Sequence, residues 1–366
     1  MLPDSALTVK VPGKLMVAGE FAVLEKYQKL VVMAVNRFVF ATLKESNENR
    51  LSLETFDLNN MTWQYKVDGV HVKTSDKRVK FVEEAMTVVY TYLKEYNLNP
   101  APFHLSIRSE LDDASGRKYG LGSSAAVVTS VVAAILTKYL PEKPSEKLVF
   151  KLAAISHVKT QGSGSGADVA ASSYGGFLQY ASFQADWLRG AYYEGDSISA
   201  LVNKDWPYFH VRPIRLPAEL YMCIGWTGKP ASTHDLVQGI TRLKTTDVSL
   251  YEQFLAASGR AVNTFLDGIS GEDPSSIIDG TKQNRAALAA VGRYANVEIE
   301  TPLLKTLCDL AEEYGGAGKP SGAGGGDCGI AFLPSRESAE ELMKAWEQSG
   351  IKPLDIVGSE AGAVKI

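Results

Sequence analysis

Residues 120–126 read Gly-Leu-Gly-Ser-Ser-Ala-Ala and run directly into the longest apolar stretch of the chain, residues 125–140. Glycines let a backbone come close to a ligand, and a helix N-terminus behind them offers unpaired N–H groups and the positive end of its dipole. That combination cradles an anion. Ser123 and Ser124 place two hydroxyls in the first turn, where one can ligate Mg2+. No Lys-Ser/Thr pair follows the last glycine, so this is not a Walker A loop. The segment matches GxGxxA, but a dinucleotide fold needs a buried strand just before it, and Asp112-Asp-Ala-Ser-Gly-Arg-Lys stands there instead. The plain alternative is a helix capped by Ser123 or Ser124. On this segment alone the two readings are level.

The apolar stretch carries Thr129, Ser130, Thr137 and Lys138. It is also shorter than the ~20 residues that span a bilayer. A buried helix is expected, with no membrane span. The polar start, Met1 to Ser5, precedes an alternating strand pattern and does not read as a secretory signal. A chain of 366 residues suggests two domains or one large one. With Lys+Arg 38 against Asp+Glu 42, the net charge of −4 argues against a general nucleic-acid binder, though a local basic pocket is compatible with it. Cys223, Cys308 and Cys328 are far apart and form no CxxC or Cys/His spacing. That excludes a disulfide framework or a zinc site from the reading and fits a reducing, cytoplasmic setting.

The first third reads mainly as strands: residues 7–11, 15–18, 31–43 and 51–56, broken by Pro-Gly and polar turns. Residues 80–96 have apolar positions at helical spacing. Residues 103–107 alternate again, and a helix starts near Pro144 and runs towards Lys159. Residues 186–217 have no regular pattern, and the domain boundary is placed there, giving domains 1–205 and 206–366. The second half shows a strand at 221–226, a polar loop at 227–234, several helices, a Gly-rich loop at 315–326, a strand at 328–332, a helix at 337–349 and a closing strand at 363–366. Strands and helices mixed in both halves give an α+β fold class.

Other segments carry less on their own. Ser321-Gly-Ala-Gly-Gly-Gly-Asp-Cys-Gly contains a lone GxGxxG, which is weak, but it leads straight into an apolar strand and so does not read as a linker. Pro12-Gly-Lys14 between two strands is by itself a turn with a solvated lysine. Asp168, after Ser163-Gly-Ser165-Gly-Ala, is by itself a helix cap. His157 reads as hydrogen-bonded, Trp226 as packing, and Cys328 as a buried thiol rather than a nucleophile.

Taken in order, these segments change the balance. Pro-Gly-Lys, Gly-Leu-Gly-Ser-Ser-Ala-Ala, Ser-Gly-Ala-Asp and Ser-Gly-Ala-Gly-Gly-Gly-Asp follow one another between Pro12 and about Ile330. The series resembles the GHMP kinase family, named for galactokinase, homoserine kinase, mevalonate kinase and phosphomevalonate kinase. Within it the chain looks most like the bacterial phosphomevalonate kinases. Leu111-Asp-Asp to Lys118-Tyr-Gly-Leu-Gly-Ser-Ser-Ala-Ala, Ile224-Gly-Trp-Thr-Gly-Lys-Pro-Ala-Ser-Thr-His and Ser321 to Ile330 carry that likeness.

The resemblance implies an N-terminal domain like the second domain of ribosomal protein S5 and a ferredoxin-like C-terminal domain, with the active site between them. It implies ATP-dependent phosphorylation of (R)-5-phosphomevalonate to (R)-5-diphosphomevalonate in isoprenoid biosynthesis, by a cytoplasmic monomer or homodimer. By the same resemblance Gly120, Leu121, Gly122, Ser123, Ser124 and Ala125 hold the ATP phosphates, and Ser124 meets Mg2+, with Ser123 as fallback. Lys14 and Asp168 are the catalytic pair. Lys118, Ser165, Ser232, Thr233, Gly322, Ala323 and Gly324, with Lys14, face the acceptor. Two departures stand out. Mevalonate kinases carry a metal-binding glutamate about three helical turns before the catalytic aspartate, where this chain reads Ser156-His-Val-Lys-Thr-Gln. The family's Gly-Glu-His is Gly19-Glu20-Phe21, which leaves Glu20 only a distant candidate ligand.

Acceptor chemistry bears on the roles. A hydroxyl must lose its proton as it attacks, so Asp168 would be a general base. A phosphate monoester is largely dianionic at pH 7 and needs neighbouring cations instead. Lys14, Lys118 and Arg117 are candidates for that task, and Asp168 then holds Lys14 or the metal. The alternatives are a kinase with a hydroxyl acceptor, mevalonate kinase first, and a non-catalytic sensor that kept the fold. A Rossmann oxidoreductase is the remote fourth.

Overall fold

The computed structural model describes residues 6–112, 118–195, 197–229 and 233–366; of residues 233 and 234 it describes the backbone only. The chain begins β1 (Leu7–Ala18), β2 (Lys29–Glu45), β3 (Arg50–Leu53), β4 (Leu58–Lys66), β5 (Gly69–Val72), α1 (Lys80–Glu95) and β6 (Phe103–Ser109). It continues through α2 (Ser123–Tyr139), α3 (Glu146–Gln161), α4 (Ala167–Tyr174), β7 (Phe177–Ala181), α5 (Ala185–Tyr193), α6 (Ile198–Asn203) and β8 (His210–Ile214). The remainder is β9 (Tyr221–Trp226), α7 (Thr233–Thr246), α8 (Val248–Ser270), α9 (Pro274–Ala295), α10 (Pro302–Glu313), β10 (Ala317–Pro320), β11 (Cys328–Leu333), α11 (Arg336–Gln348), β12 (Lys352–Pro353) and β13 (Val364–Lys365). The result is α+β: helices pack on two separate sheets.

The larger sheet runs β13-β1-β2-β6-β3-β4-β5, with β7 on the free edge of β2 and β8 beyond it. The smaller sheet is antiparallel, in the order β10-β11-β9-β12. Helix α2 is apolar around its whole circumference, and a helix of that kind has to be buried. It lies against β1 and β2, with α1, α3 and α4 around it, and Val128, Val131, Val132, Ile135 and Leu136 are fully buried. Among the described residues no helix is long and apolar enough to cross a membrane.

Several expected elements take a different form. Pro12-Gly13 is not a turn. Residues 7–18 form one strand, and the Pro-Gly pair makes a register shift within it. Residues 54–56 form a 3-10 turn rather than extending the strand at 51–53. The stretch with no regular pattern, 186–217, holds α5, α6 and β8; local periodicity is weak there because the helices are only 9 and 6 residues long. Residues 317–320 are strand, although the segment reads as a Gly-rich loop, because pairing with β11 decides the backbone. Strands β4 and β5 have no sequence forecast; their burial is patchy, so the two-residue alternation is blurred. Beyond the 205/206 division, β8 pairs with β7 in the larger sheet, and β13 returns to pair with β1.

A buried polar cluster ties the two sheets. Glu20, just after β1, pairs with Lys319 on β10, and both are buried. Asn284 on α9 donates to the Glu20 carboxylate at 3.2 Å and accepts the Gly19 N–H at 2.9 Å. Lys319 Nζ also donates to the Pro320 carbonyl at 2.6 Å. Charges taken out of water need this degree of pairing, and removal of one partner leaves the other stranded. Lys319→Met is therefore expected to lower unfolding free energy by about 3–5 kcal/mol in urea titrations. Adding Glu20→Gln to it should cost less than the sum of the two single changes. Strict additivity would show that the pair is not coupled.

Candidate functional site

The register shift at Pro12/Gly13 puts the next residues against the glycine turn before α2. Lys14 N–H donates to the Leu121 carbonyl at 2.8 Å. A Cβ on Gly13 would stand 2.7 Å from that same oxygen, so only glycine permits the approach. From the other side, Ser172 on α4 donates to the Pro12 carbonyl at 2.8 Å. The shifted strand is thus held between α4 and the turn.

This arrangement assembles the first group of residues. Lys14 Nζ donates to the Gly120 carbonyl at 3.0 Å. Gly122 has φ +76, and a Cβ there would lie 2.9 Å from Lys14 Cγ and 3.6 Å from Asp168 Cβ. Lys14 and Asp168, far apart in sequence, therefore flank the same glycine at the mouth of the turn. Asp168 Oδ1 accepts the Val169 N–H at 2.9 Å, which sets the carboxylate at the start of α4. Gly120, Gly122, Ser123 and Ser124 are half-buried, while Leu121 and Ala125 are buried as packing residues. Positive backbone charge at two helix starts, α2 and α4, and the Lys14 ammonium make a site for an anion.

The second Gly-rich loop closes on the first through its final residues. A Cβ on Gly120 would lie 2.7 Å from an Asp327 carboxylate oxygen. Cys328 Sγ donates to the Tyr119 carbonyl at 3.2 Å, and Tyr119 packs edge-on against Trp226 at 5.0 Å. Burial pushes the Cys328 thiol up from its usual range, so it sits as a packing group. Gly322 faces open space, and its N–H points to Glu20 Oε1 at 3.4 Å. Ala323 packs among the α7–α9 side chains, and Gly324 lies against the Ile299 carbonyl. The constraint on Gly324 is thus packing on the backbone of its own half.

Ser165 is half-buried before α4; its hydroxyl accepts the Ala167 N–H at 3.3 Å and its carbonyl accepts the Tyr180 hydroxyl at 2.6 Å. Lys118 is exposed and forms a backbone bridge to Asp112 at the foot of the turn. Ser232, the Thr233 side chain and Arg117 lie outside the described residues. Glu20 is committed to Lys319 and Asn284, which removes it from consideration as a metal ligand.

Sequence reasoning missed Lys319 and Asn284 altogether. Lys319 lies inside a stretch read as loop, and Asn284 is one polar residue on a long helix; only the fold brings them to Glu20. His157 was read as hydrogen-bonded, and its Nε2 lies 3.2 Å from Ser124 Oγ. Among the described residues no cluster of three or more His, Cys, Asp or Glu could hold a metal on protein ligands alone. The hydroxyl of Ser124 and the carboxylate of Asp168 are hard oxygen donors. They suit an ion such as Mg2+ that shares its coordination with phosphate and water.

Comparison with known proteins identifies relatives of the whole chain. Residues 81–176 match the family description "GHMP kinases N terminal domain", and residues 283–352 match "GHMP kinases C terminal". The chain is 31% identical to a phosphomevalonate kinase of Streptomyces sp. (strain CL190), over 96% of each chain. A crystal structure of the Lin0012 protein from Listeria innocua superposes with a TM-score of 0.93 at 38% identity, covering 99% of both chains. The phosphomevalonate kinase of Streptococcus pneumoniae, in complex with phosphomevalonate and AMPPNP, superposes with a TM-score of 0.84 at 27% identity, covering 96% of this chain and 99% of that one.

Gly122→Ala tests the geometry directly. A methyl at φ +76 is strained, and it would push on the Lys14 side chain. Affinity for AMPPNP, measured calorimetrically, is expected to fall by about tenfold or more, with a stability loss of about 1–2 kcal/mol. Unchanged affinity would remove the turn from the anion site.

Proposed function

Because the chain belongs to the GHMP kinase family, we propose that it transfers the γ-phosphoryl group of ATP to (R)-5-phosphomevalonate, giving (R)-5-diphosphomevalonate and ADP. The observation that supports this reading is the placement of Lys14 and Asp168 against the same glycine, Gly122, at the start of a helix behind a glycine turn. The full-length likeness to phosphomevalonate kinases supplies the acceptor.

Phosphoryl transfer asks mainly for positioning and charge stabilisation. The N–H groups of the 120–125 turn, at the N-terminus of α2, receive the ATP phosphates. Lys14, fixed by its own N–H to Leu121 and by Nζ to Gly120, sets a positive charge beside them. The incoming phosphomevalonate is itself anionic, with a second pKa near 6. Its approach to ATP brings negative charges together, and Lys14 offsets that repulsion where it develops. Lys118, exposed beside the turn, adds to the positive field. Ser165 and the half-buried Gly322 and Ala323 border the acceptor side, with Gly324 fixing that loop on Ile299. Ser232 and Thr233 complete the acceptor set in this proposal.

Asp168 has no proton to take from a dianionic acceptor. Its role in this proposal is to hold the Lys14 ammonium or the metal in place. Ser124 and Asp168 are the protein groups assigned to Mg2+, which supplies charge neutralisation on the ATP phosphates when bound. A cytoplasmic location fits the use of ATP and three buried free thiols. The remaining proposals are small-molecule substrates only, without nucleic acid or membrane, and a monomer or homodimer.

An ADP-release assay with the two acceptors side by side tests the reaction. Phosphomevalonate is expected to support turnover, and mevalonate to be inert. Robust turnover of mevalonate with phosphomevalonate inert would overturn both the substrate and the role given to Asp168. A second experiment tests the pair. Lys14→Met and Asp168→Asn should each lower kcat by about 10²-fold or more, and the double variant should lose little beyond the worse single. Multiplicative losses would show that the two act independently.

A further inference from the structure

Ser124 and His157 meet across two helices. Ser124 lies in the first turn of α2, directly behind the glycine turn, and is half-buried. His157 lies on α3, is 4% exposed, and has the Phe81 ring 5.5 Å away at 32°. Serine Oγ and imidazole Nε2 are 3.2 Å apart.

A hydroxyl has one proton and two lone pairs. To ligate a cation it must present a lone pair and turn its proton elsewhere. A free serine rotates about χ1 and about the C–O bond, so it holds neither arrangement. A buried imidazole nitrogen on the side away from the ligand gives the proton one place to go. The ring itself has little room to turn, because it is packed against Phe81 within the α1–α3 layer.

We propose that His157 is a positioning residue for phosphoryl transfer: its imidazole accepts the Ser124 O–H through Nε2, and so aims the oxygen lone pairs at the Mg2+ carried by the nucleotide. This rests on the kinase reading above. Nδ1 then carries the ring proton. The imidazole touches neither nucleotide nor acceptor and acts only through Ser124. It also adds no negative charge beside two anionic substrates. Outer partners of this type set the orientation of a ligand, and their loss commonly lowers metal affinity about 10- to 100-fold.

The test measures binding of AMPPNP to the full chain by calorimetry, with and without Mg2+. Wild type is expected to bind more tightly with Mg2+. In His157→Leu that Mg2+-dependent gain should shrink about 10- to 100-fold. Binding without Mg2+ should stay within about twofold, which a general loss of structure would not allow. His157→Gln, whose amide oxygen also accepts a hydrogen bond, should recover part of the gain. In a Ser124→Ala background, His157→Gln should change nothing further. That last comparison decides the matter if the leucine variant does not fold. A full wild-type gain in His157→Leu, or an equal further loss in the Ser124→Ala background, overturns the proposal. AMPPNP binding does not depend on the acceptor. Failure to phosphorylate phosphomevalonate therefore sinks the substrate reading, while an unaltered Mg2+ gain sinks this one.

Discussion

The buried pairing of Glu20 with Lys319 is the contact on which the rest of the site depends. Glu20 lies just after the first strand of the larger sheet and Lys319 lies in the smaller one. Neither charge has access to water, so each requires the other, and Asn284 satisfies what remains of the carboxylate. Ser321, two residues after Lys319, donates to the Met16 carbonyl at 2.8 Å. The second Gly-rich loop is thereby anchored at its root to β1, while Gly322 stays open beyond it. A hydrophobic interface alone would tolerate sliding; a desolvated ion pair with a defined hydrogen-bond set does not.

Within the first half, one irregularity in a strand does comparable work. Past the register shift at Pro12/Gly13, Lys14 stays opposite Ala34 of β2 while its N–H meets Leu121 and its ammonium meets Gly120. Proline cannot donate a ladder hydrogen bond, and glycine is the only residue that fits under Leu121. The same dipeptide that looks like a loop signal therefore brings Lys14 against the glycine turn. Gly122 has the matching role opposite: a side chain there would occupy the space between Lys14 and Asp168.

The site combines rigid elements with few side-chain functions. Helix starts and backbone N–H groups supply much of the positive potential, and they do so without ordering long side chains at the moment of reaction. That economy suits a reaction between two anions, where placement of fixed positive charge matters more than proton transfer. Buried Cys328 and the Tyr119–Trp226 contact close the base of the turn with apolar material, which keeps water from competing there.

Much was legible in the chain itself. Helices 80–95 and 336–348 follow from apolar spacing, since burial of one face leaves a periodic trace, and helix 123–139 follows from an apolar run that only a buried helix accommodates. The motif residues Lys14, Gly120, Gly122, Ser124 and Asp168 were legible because glycine, lysine and aspartate in those orders have few other uses. The sequence alone could not show that Pro12-Gly13 is an irregularity within a strand, that residues 317–320 are paired, or that β8 and β13 join the larger sheet. Nor could it show that Glu20 meets Lys319, or that His157 meets Ser124. Each of these is settled by partners distant in the chain, as far apart as Val9 and Lys365. Local composition determines which residues can bury, turn or bind an anion; only the packed fold determines which of them face one another, because that depends on non-local pairing and on the cost of leaving a buried charge or hydroxyl unpartnered.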